Sequence, residues 1–125
     1  MTREIALDPD RIEWAPTPFS GCHIKYLHRD EGTGASIALL RFEKGAGIPR
    51  SHVHGSNQFM IMLKGRYEYT SSGITLTEGM FYMNPKGHPH GPTTAHEECL
   101  MVGIYAGPHD PEEDNPWAGF QGTRP

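Results

Sequence analysis

Two histidines one residue apart, His52 and His54, are followed by Gln58 in the segment PRSHVHGSNQFMIMLKG. Alternate residues of a β-strand face the same side, so both imidazoles would be presented to one surface. The tripeptide Gly-Ser-Asn at 55–57 predicts a turn, after which Gln58 would begin the next strand as a cross-strand neighbour of the pair. Metal ligands are set out in this way, although the last position would ordinarily hold an acid rather than an amide.

A second histidine cluster comes from the segment NPKGHPHG. Pro85 and Gly87 predict a tight turn there, which would return His90 to the wall that carries His52 and His54. Three imidazoles and one amide oxygen on a closed sheet suit Fe(II), Mn, Ni, Cu or Zn. An isolated His-x-His pair is often only a surface pair, but the turn, the amide and the second cluster together favour metal binding. We therefore predict one divalent transition metal per chain, with a site made of His52, His54, His90 and Gln58, in which the amide of Gln58 is a fourth ligand or a neighbour of the ion.

Several other side chains are candidates for the surroundings of the metal. His88 lies two residues before His90, so both side chains would face the same side of a strand. His88 is therefore predicted to be a fourth imidazole at the metal or to contact one of the ligands, and a surface position explains it equally well. Met60 and Met62 share the parity of Gln58, so both are expected to line the cavity beside the metal, although core packing explains them as well. His96 is expected to lie in solvent. Candidate hydrogen-bond donors of the pocket are Tyr26, Arg41, Tyr67 and Tyr105.

The segments between turn signals are short and rich in β-branched and aromatic residues, which predicts strands. CHIKYLHRD alternates Ile24, Tyr26 and His28 against Lys25 and Leu27, and EGTG after it predicts a hairpin turn. The other predicted strands are ASIALLRFEKG, QFMIMLKG, RYEYTSSG, ITLTEG, MFYMNPKG and ECLMVGIYAG. Apolar residues nowhere keep a helical period for three turns. The sequence therefore predicts an all-β fold, an antiparallel sandwich or barrel.

The chain has 125 residues, which is the size of one domain, residues 1–125. We expect a core over about residues 22–106, an N-terminal arm at 1–21 that lies over the barrel, and a proline-rich acidic tail at 107–125 with little regular structure. Fifteen Gly and eleven Pro favour many turns and little helix. Cys22 and Cys99 are expected to be small buried residues with reduced thiols.

The charge and apolar patterns exclude some classes of partner. Lys and Arg number 11 and Asp and Glu 15, so the net charge of −4 argues against nucleic acid and against an anionic membrane surface. No apolar signal-peptide core opens the chain, and the longest apolar run, FMIML, is far too short to span a membrane, so a cytoplasmic protein is expected. Phe59, Ile61 and Leu63 would face away from Met60 and Met62, and a strand that is apolar on both faces predicts a homodimer.

The spacing of the candidate ligands resembles the first sequence motif of the cupins. That motif runs Gly, a short spacer, His-x-His, three or four residues, Glu, six residues and Gly. The corresponding residues here are Gly47, His52, His54, Gln58 and Gly65. The first spacer is one residue short, and Gln replaces Glu.

The second cupin motif runs Gly, five residues, Pro-x-Gly, two residues, His, three residues and Asn. The corresponding residues here are Gly79, Pro85, Gly87, His90 and Thr94, with Thr in place of Asn. The two motifs cover residues 45–94, and the predicted flanking strands fit the same barrel. The resemblance implies a cupin jelly-roll β-barrel, also called a double-stranded β-helix.

The opening segment IEWAPTPFSGCHIKYLHRDEGTG looks more loosely like cupins akin to the anti-sigma-factor metal domain and to acetylacetone- and dihydroxyacetophenone-cleaving dioxygenases. This resemblance implies a mononuclear metalloenzyme, with Fe(II) first and Zn, Ni or Mn as alternatives. Its substrate would be a small enolisable ketone or phenol that binds as an anion and loses a carbon–carbon bond to oxygen. The alternatives are a non-redox Zn or Ni isomerase, cyclase or lyase, and a non-catalytic metal- or metabolite-binding module. A sensor would need an appended DNA- or sigma-binding domain, for which we expect no room in this chain.

Gln58 changes the charge that such a site would carry. A divalent ion held by three neutral histidines and a glutamate has a net charge of +1, whereas glutamine leaves it at +2. The amide oxygen would either bind a more Lewis-acidic ion or leave the ion and hydrogen-bond a substrate. The resemblance allows both, since diketone-cleaving cupins use three histidines alone while some cupin cyclases and uronate-converting cupins carry Gln as a ligand.

Overall fold

The computed structural model describes residues 3–108, in which nine short strands account for nearly all regular structure. A 3-10 helix at Pro9–Arg11 precedes them. It is the one helical element of residues 3–108, so the described chain holds no helix of membrane-spanning length. The strands are β1 Ala15–Pro16, β2 Cys22–Arg29, β3 Ser36–Phe42, β4 Gln58–Lys64, β5 Arg66–Tyr69, β6 Ile74–Thr77, β7 Phe81–Asn84, β8 Thr93–Ala95 and β9 Cys99–Tyr105.

The strands form two sheets. The larger has the order β1-β2-β3-β9-β4-β7 and the smaller the order β6-β5-β8, and every pairing is antiparallel. The buried apolar side chains come from both sheets, as expected when two sheets pack face to face around one core. The prediction of an all-β antiparallel fold is confirmed.

Strict alternation sets the inner face of the larger sheet. In β3 the buried residues are Ser36, Ala38, Leu40 and Phe42, and the residues between them are only partly buried. β9 follows the same pattern, and Cys99 and Cys22 lie in the core as free thiols. A period of two with one apolar face is what fixes the pairing register of a sheet, because a slip of one residue would expose the whole apolar set.

The end of β2 breaks this alternation. Tyr26 pairs with Ala38, but His28 pairs with Ile37 and Arg29 with Ser36, so the register shifts by one residue at Leu27. A β-bulge of this kind moves the following side chains to the opposite face. The prediction that His28 shares the face of Tyr26 is therefore wrong. Arg29, across from the inward Ser36, takes the inner position instead.

The N-terminal segment runs along the outside of β2. The ammonium group of Lys25 donates a hydrogen bond to the carbonyl oxygen of Pro9 at 2.8 Å. Lys25 and Arg41 both lie over the ring of Trp14, with their charged groups 4.6 and 4.8 Å from its centroid. Arg41, proposed from sequence as a pocket donor, therefore lies on the outer face. Of the predicted tail, residues 109–125 lie outside the described part of the chain.

Gly65 joins β4 to β5 at a point where its backbone lies close to that of Glu98 and Cys99. Its φ of +94° lies in the region that favours glycine, and an added Cβ would run into the carbonyl oxygen of Glu98 and into Cys99. Left-handed φ alone costs a residue with a side chain about 1–2 kcal/mol. Because the clash adds to this strain, we expect Gly65→Ala to lower the free energy of unfolding by ~3 kcal/mol or more.

The measurement is urea unfolding of Gly65→Ala beside Gly73→Ala. Gly73 is a matched control, since its φ is +74° but an added Cβ would meet nothing within 4 Å. The control should lose only the conformational part, about 1–2 kcal/mol. Equal losses in the two variants would show that the close approach at Gly65 is not a constraint.

Candidate metal centre

Three buried histidines meet inside the barrel at the start of β4. His52, His54 and His90 are 4%, 1% and 6% exposed, and within residues 3–108 they form a group whose ligand atoms lie within 4.8 Å of one another. The Nε2 atom of His90 lies 3.0 Å from Nε2 of His52 and 3.1 Å from Nε2 of His54. The sequence placed two of these residues in one segment and the third 36 residues later, and the fold brings all three together.

Backbone hydrogen bonds hold the two histidine segments side by side. The N–H of His52 donates to the carbonyl oxygen of His90 at 2.9 Å, and the N–H of His90 donates back to that of His52 at 3.0 Å. This isolated antiparallel bridge sits between segments that belong to no sheet. It fixes the separation of the two imidazoles through the main chain, so their positions do not depend on a bound ligand.

Both bridged imidazoles are neutral at physiological pH. Burial lowers the pKa of His52 to about 4. Burial, with smaller contributions from His52 and His88, lowers the pKa of His90 to about 3. Loss of water disfavours the imidazolium form, and a neutral imidazole has a lone pair to offer a metal ion. Nδ1 of His52 faces the carbonyl oxygen of Arg50 at 3.4 Å, which favours a proton on Nδ1 and a bare Nε2.

The spacing of the nitrogens suits a metal ion. An ion about 2.1 Å from two imidazole nitrogens at right angles would place those nitrogens about 3.0 Å apart. The two Nε2 separations of 3.0 and 3.1 Å match such an edge. Three neutral nitrogen donors suit a divalent transition metal rather than calcium or magnesium, which prefer oxygen ligands. The residues present can therefore hold such an ion, although they do not fix which one.

Gln58 lies beside the histidines and lines the same cavity. It is 4% exposed, and its Nε2 makes long contacts of 3.4 Å with Sδ of Met60 and 3.5 Å with the hydroxyl of Tyr105. Its Oε1 is buried and has no hydrogen-bond partner in the described part of the chain. Leaving a buried acceptor unsatisfied costs about 1–3 kcal/mol. A metal ion, or a donor group on a ligand, would satisfy this oxygen.

The rest of the cavity wall is apolar and aromatic. Met60 and Tyr105 line it, whereas Met62 is 1% exposed in the core and does not. Tyr67 also lines it, with its hydroxyl donating to Oγ1 of Thr93 at 2.7 Å. The described residues around the cavity include no carboxylate; they are Leu40, Phe42, Ile48, His52, His54, Gln58, Met60, Tyr67, Tyr69, His90, Met101 and Tyr105.

Two other histidines lie outside the group. His88 is exposed, and its Nδ1 is 3.0 Å from Oδ1 of Asn84, while the amide of Asn84 donates to the carbonyl oxygen of His88 at 2.9 Å. The geometry thus gives His88 the surface position that the sequence left open. His96 is partly buried rather than free in solvent, because its Nε2 lies 2.7 Å from a carboxylate oxygen of Glu68 on β5.

Sequence reasoning missed two tyrosines that hold His90. The hydroxyl of Tyr82 lies 2.8 Å from Nδ1 of His90, and the ring of Tyr69 stacks on both at centroid distances of 4.6 and 4.9 Å. A hydrogen bond to the far nitrogen of a metal-binding histidine orients its ring. Strand alternation is the sequence signal that could have identified Tyr82 as an inward residue, since Tyr82 pairs with Met60 across the sheet and shares its inward face.

A family comparison agrees with this architecture. The family described as the ChrR cupin-like domain matches residues 2–109. Among curated proteins, none matches the chain significantly.

Solved structures with the same fold have low sequence identity to this chain. An acetylacetone dioxygenase from Acinetobacter johnsonii is 19% identical with a TM-score of 0.74, covering 98% of this chain and 85% of that one. An RmlC-like cupin protein from Ralstonia eutropha JMP134 is 21% identical with a TM-score of 0.72, covering 84% and 69%. A structure of Rhodobacter sphaeroides SigE in complex with the anti-sigma ChrR gives 18% identity and a TM-score of 0.62, covering 77% of this chain and 50% of that one. At these identities the likeness is one of fold.

Proposed function

Because this chain belongs to the ChrR cupin-like family, we propose that it is a mononuclear metal-dependent dioxygenase that cleaves a carbon–carbon bond in a small enolisable ketone or phenolic substrate. The observation that carries the proposal is the meeting of three buried Nε2 atoms in a cavity whose fourth polar group is an amide. The fold shared with an acetylacetone dioxygenase supports the same class of reaction.

In this proposal His52, His54 and His90 hold one divalent ion, with Fe(II) favoured, and Gln58 lies at the fourth position. A bound ion of this kind supplies a Lewis-acid centre for an anionic chelating substrate and, as iron, reactivity towards dioxygen. The protein's contribution is a wall without carboxylates among its described residues, so the positive charge of the ion is left for the substrate to neutralise.

The tyrosines of the wall act as neutral donors in this proposal. Burial raises the pKa of Tyr69 well above its ordinary value, and burial likewise raises the pKa of Tyr105. A phenol with a raised pKa remains protonated at neutral pH and donates a hydrogen bond rather than accepting a proton. With no carboxylate among the described lining residues, the cavity lacks a ready general base, which favours oxygen chemistry over isomerisation or elimination.

The test combines metal analysis with oxygen uptake. Protein purified without added metal should contain iron, and its iron-loaded form should consume about one equivalent of dioxygen for each equivalent of 2,4-pentanedione lost. Zinc as the native metal, with loss of a substrate but no oxygen uptake, would favour the non-redox alternative. Metal binding without turnover of diketones or hydroxyketones would favour a binding module.

We further propose a homodimer formed through an outer apolar face. This face consists of outward residues of β4 and β7, and several are exposed despite being large and apolar: Ile61 at 40%, Leu63 at 40%, Phe81 at 61% and Met83 at 37%. Contiguous apolar surface of this kind commonly marks an interface between subunits. In the larger sheet β7 is the edge strand, so within residues 3–108 no further strand pairs beyond it on this side.

Sedimentation of the wild type should give a dimer of about twice 13.9 kDa at micromolar concentration. Phe81→Glu should shift the protein to monomer, because a charge would be buried without a partner. Ile5→Glu is the control, since Ile5 is also 61% exposed but lies in the N-terminal segment. A wild-type monomer would refute the homodimer.

A further inference from the structure

A row of polar side chains crosses the inner face of the larger sheet at the level of the histidines. Consecutive cross-strand partners define this polar row: Asn84 on β7, Gln58 on β4, Tyr105 on β9, Ser36 on β3 and Arg29 on β2. The first four are between 2% and 5% exposed, and Arg29 is partly buried. The next inward level has Tyr82, Met60, Gly103, Ala38 and Tyr26, so polarity is concentrated at one end of the barrel.

Arg29 reaches the polar row only because of the bulge at Leu27. Its guanidinium lies over the ring of Tyr26, 3.7 Å from the centroid, and Tyr26 is itself a core residue at 4% exposure. Nε of Arg29 is buried and, within residues 3–108, has no hydrogen-bond partner. A buried N–H of a charged group that is left without an acceptor is costly, so the position indicates a missing acceptor.

Ser36 supplies a second unsatisfied group beside Arg29. It is 5% exposed, and its Oγ also lacks a hydrogen-bond partner among the described residues. The two groups are direct cross-strand partners, so their side chains leave the sheet about 5 Å apart and on the same face. Together they offer N–H and O–H donors on the inner face.

We propose that Arg29 and Ser36 bind a carboxylate of the substrate, so that the substrate is an oxo acid: an enolisable ketone with a carboxylate remote from its metal-binding oxygens. This inference rests on the proposed function, and it names the substrate class of that site. Arg29 and Ser36 do not line the cavity itself; they lie next to Tyr105, which lines the cavity and pairs with Ser36. A guanidinium binds a carboxylate through two parallel N–H bonds, one of which can come from Nε. The hydroxyl of Ser36 rotates freely and supplies a third donor.

The separation along the row sets the distance between the two ends of the substrate. Gln58, beside the histidines, and Arg29 are three strand positions apart, or roughly 14 Å along the sheet between their backbones. Both side chains extend inward from this wall and shorten the gap. The carboxylate would therefore be joined to the chelating oxygens through a short carbon chain rather than lying directly next to them. The hydroxyl of Tyr105, 3.5 Å from Nε2 of Gln58, lies between the two ends.

The experiment compares three probes on the zinc-loaded protein, because zinc has no redox chemistry and permits binding without turnover. They are 4,6-dioxoheptanoate, its neutral amide, and 2,4-pentanedione, each titrated by calorimetry. The carboxylate should bind about tenfold to a hundredfold more tightly than the amide, the range for a charge-assisted hydrogen-bonded pair. Equal affinity of carboxylate and amide in the wild type would overturn the proposal.

Arg29→Gln should abolish the preference for the carboxylate and leave the affinity for 2,4-pentanedione unchanged. Arg41→Gln is the matched control, because it removes the same charge from the outer face of the same sheet, where Arg41 covers Trp14. It should keep the full preference. A preference that survives in Arg29→Gln, or is lost equally in Arg41→Gln, would contradict a specific carboxylate contact.

Proton–nitrogen NMR separates this proposal from the metal chemistry. The Nε–H resonance of Arg29, identified by its absence in Arg29→Gln, should shift on titration with 4,6-dioxoheptanoate but not with the amide. If the Arg29 resonance shifts with 4,6-dioxoheptanoate but 2,4-pentanedione does not bind at the metal, the carboxylate site exists and the proposed dioxygenase function is wrong. Diketone binding at the metal with an unmoved Arg29 resonance would mean the reverse.

Discussion

His52→Ala, His54→Ala and His90→Ala are each expected to lose most of the bound metal. Their imidazoles converge at Nε2 separations of 3.0 and 3.1 Å, and the described cavity wall has no carboxylate that could replace one of them. Changing a residue that merely supports a metal ligand costs about 10–100-fold in metal affinity, so removing a ligand should cost about a hundredfold or more. Oxygen uptake should fall with the metal content.

Elemental analysis after dialysis against a weak chelator measures this loss. His88→Ala and His96→Ala are the controls, since His88 is held by Asn84 at the surface and His96 by Glu68, and both variants should keep full occupancy. Circular dichroism confirms that each variant is folded before its metal content is compared. Full occupancy in all three ligand variants would exclude the proposed site.

Gln58→Glu is expected to hold metal more tightly and an anionic substrate more weakly. A glutamate side chain has the same length as glutamine and offers the ion a charged ligand oxygen, which strengthens binding of the free ion. It also lowers the net charge of the bound ion from +2 to +1. One lost unit of attraction at contact distance is worth ~1–4 kcal/mol at effective dielectrics between water and a protein surface. This corresponds to about fivefold to about 900-fold in substrate affinity.

Titration of the wild type, Gln58→Glu and Gln58→Ala with 2,4-pentanedione, each loaded with the same metal, tests the charge argument. Gln58→Ala keeps the charge and loses only the amide, so its substrate affinity should fall less than that of Gln58→Glu. Competition with a chelator gives the metal affinity of each protein independently. If the Glu variant binds the diketone as well as the wild type does, the charge at position 58 does not govern substrate binding.

The sequence predicted what depends on local chemistry. Alternation of apolar residues indicated β3 and β9, and glycine and proline marked the turns around Gly65 and Pro85. Because His-x-His parity and a nearby turn determine where side chains point, the three histidines could be assigned to one wall from the amino-acid pattern alone. These signals act over a few residues, which is why they can be seen in the sequence.

What the sequence did not predict depends on pairing between distant strands. The alternation of CHIKYLHRD predicts that His28 shares the face of Tyr26, because nothing in that segment signals the register shift at Leu27. Tyr82 was missed, because its contact with His90 arises from the turn between them and from stacking on Tyr69. Met62 has the parity of Gln58 but lies deeper in the core, since parity gives the face of a strand and not the depth along it.

The bulge at Leu27 also has an evolutionary consequence. Before the bulge Tyr26 pairs with Ala38, and after it Arg29 pairs with Ser36. The pairing registers on the two sides of the bulge differ by one residue. Leu27 therefore occupies the place of a single-residue insertion that the fold has absorbed. Deleting it would let the strand alternate regularly while Tyr26 and Arg29 both stayed on the inner face. Loss of a residue here would therefore leave the inward side chains of β2 on the inner face of the sheet.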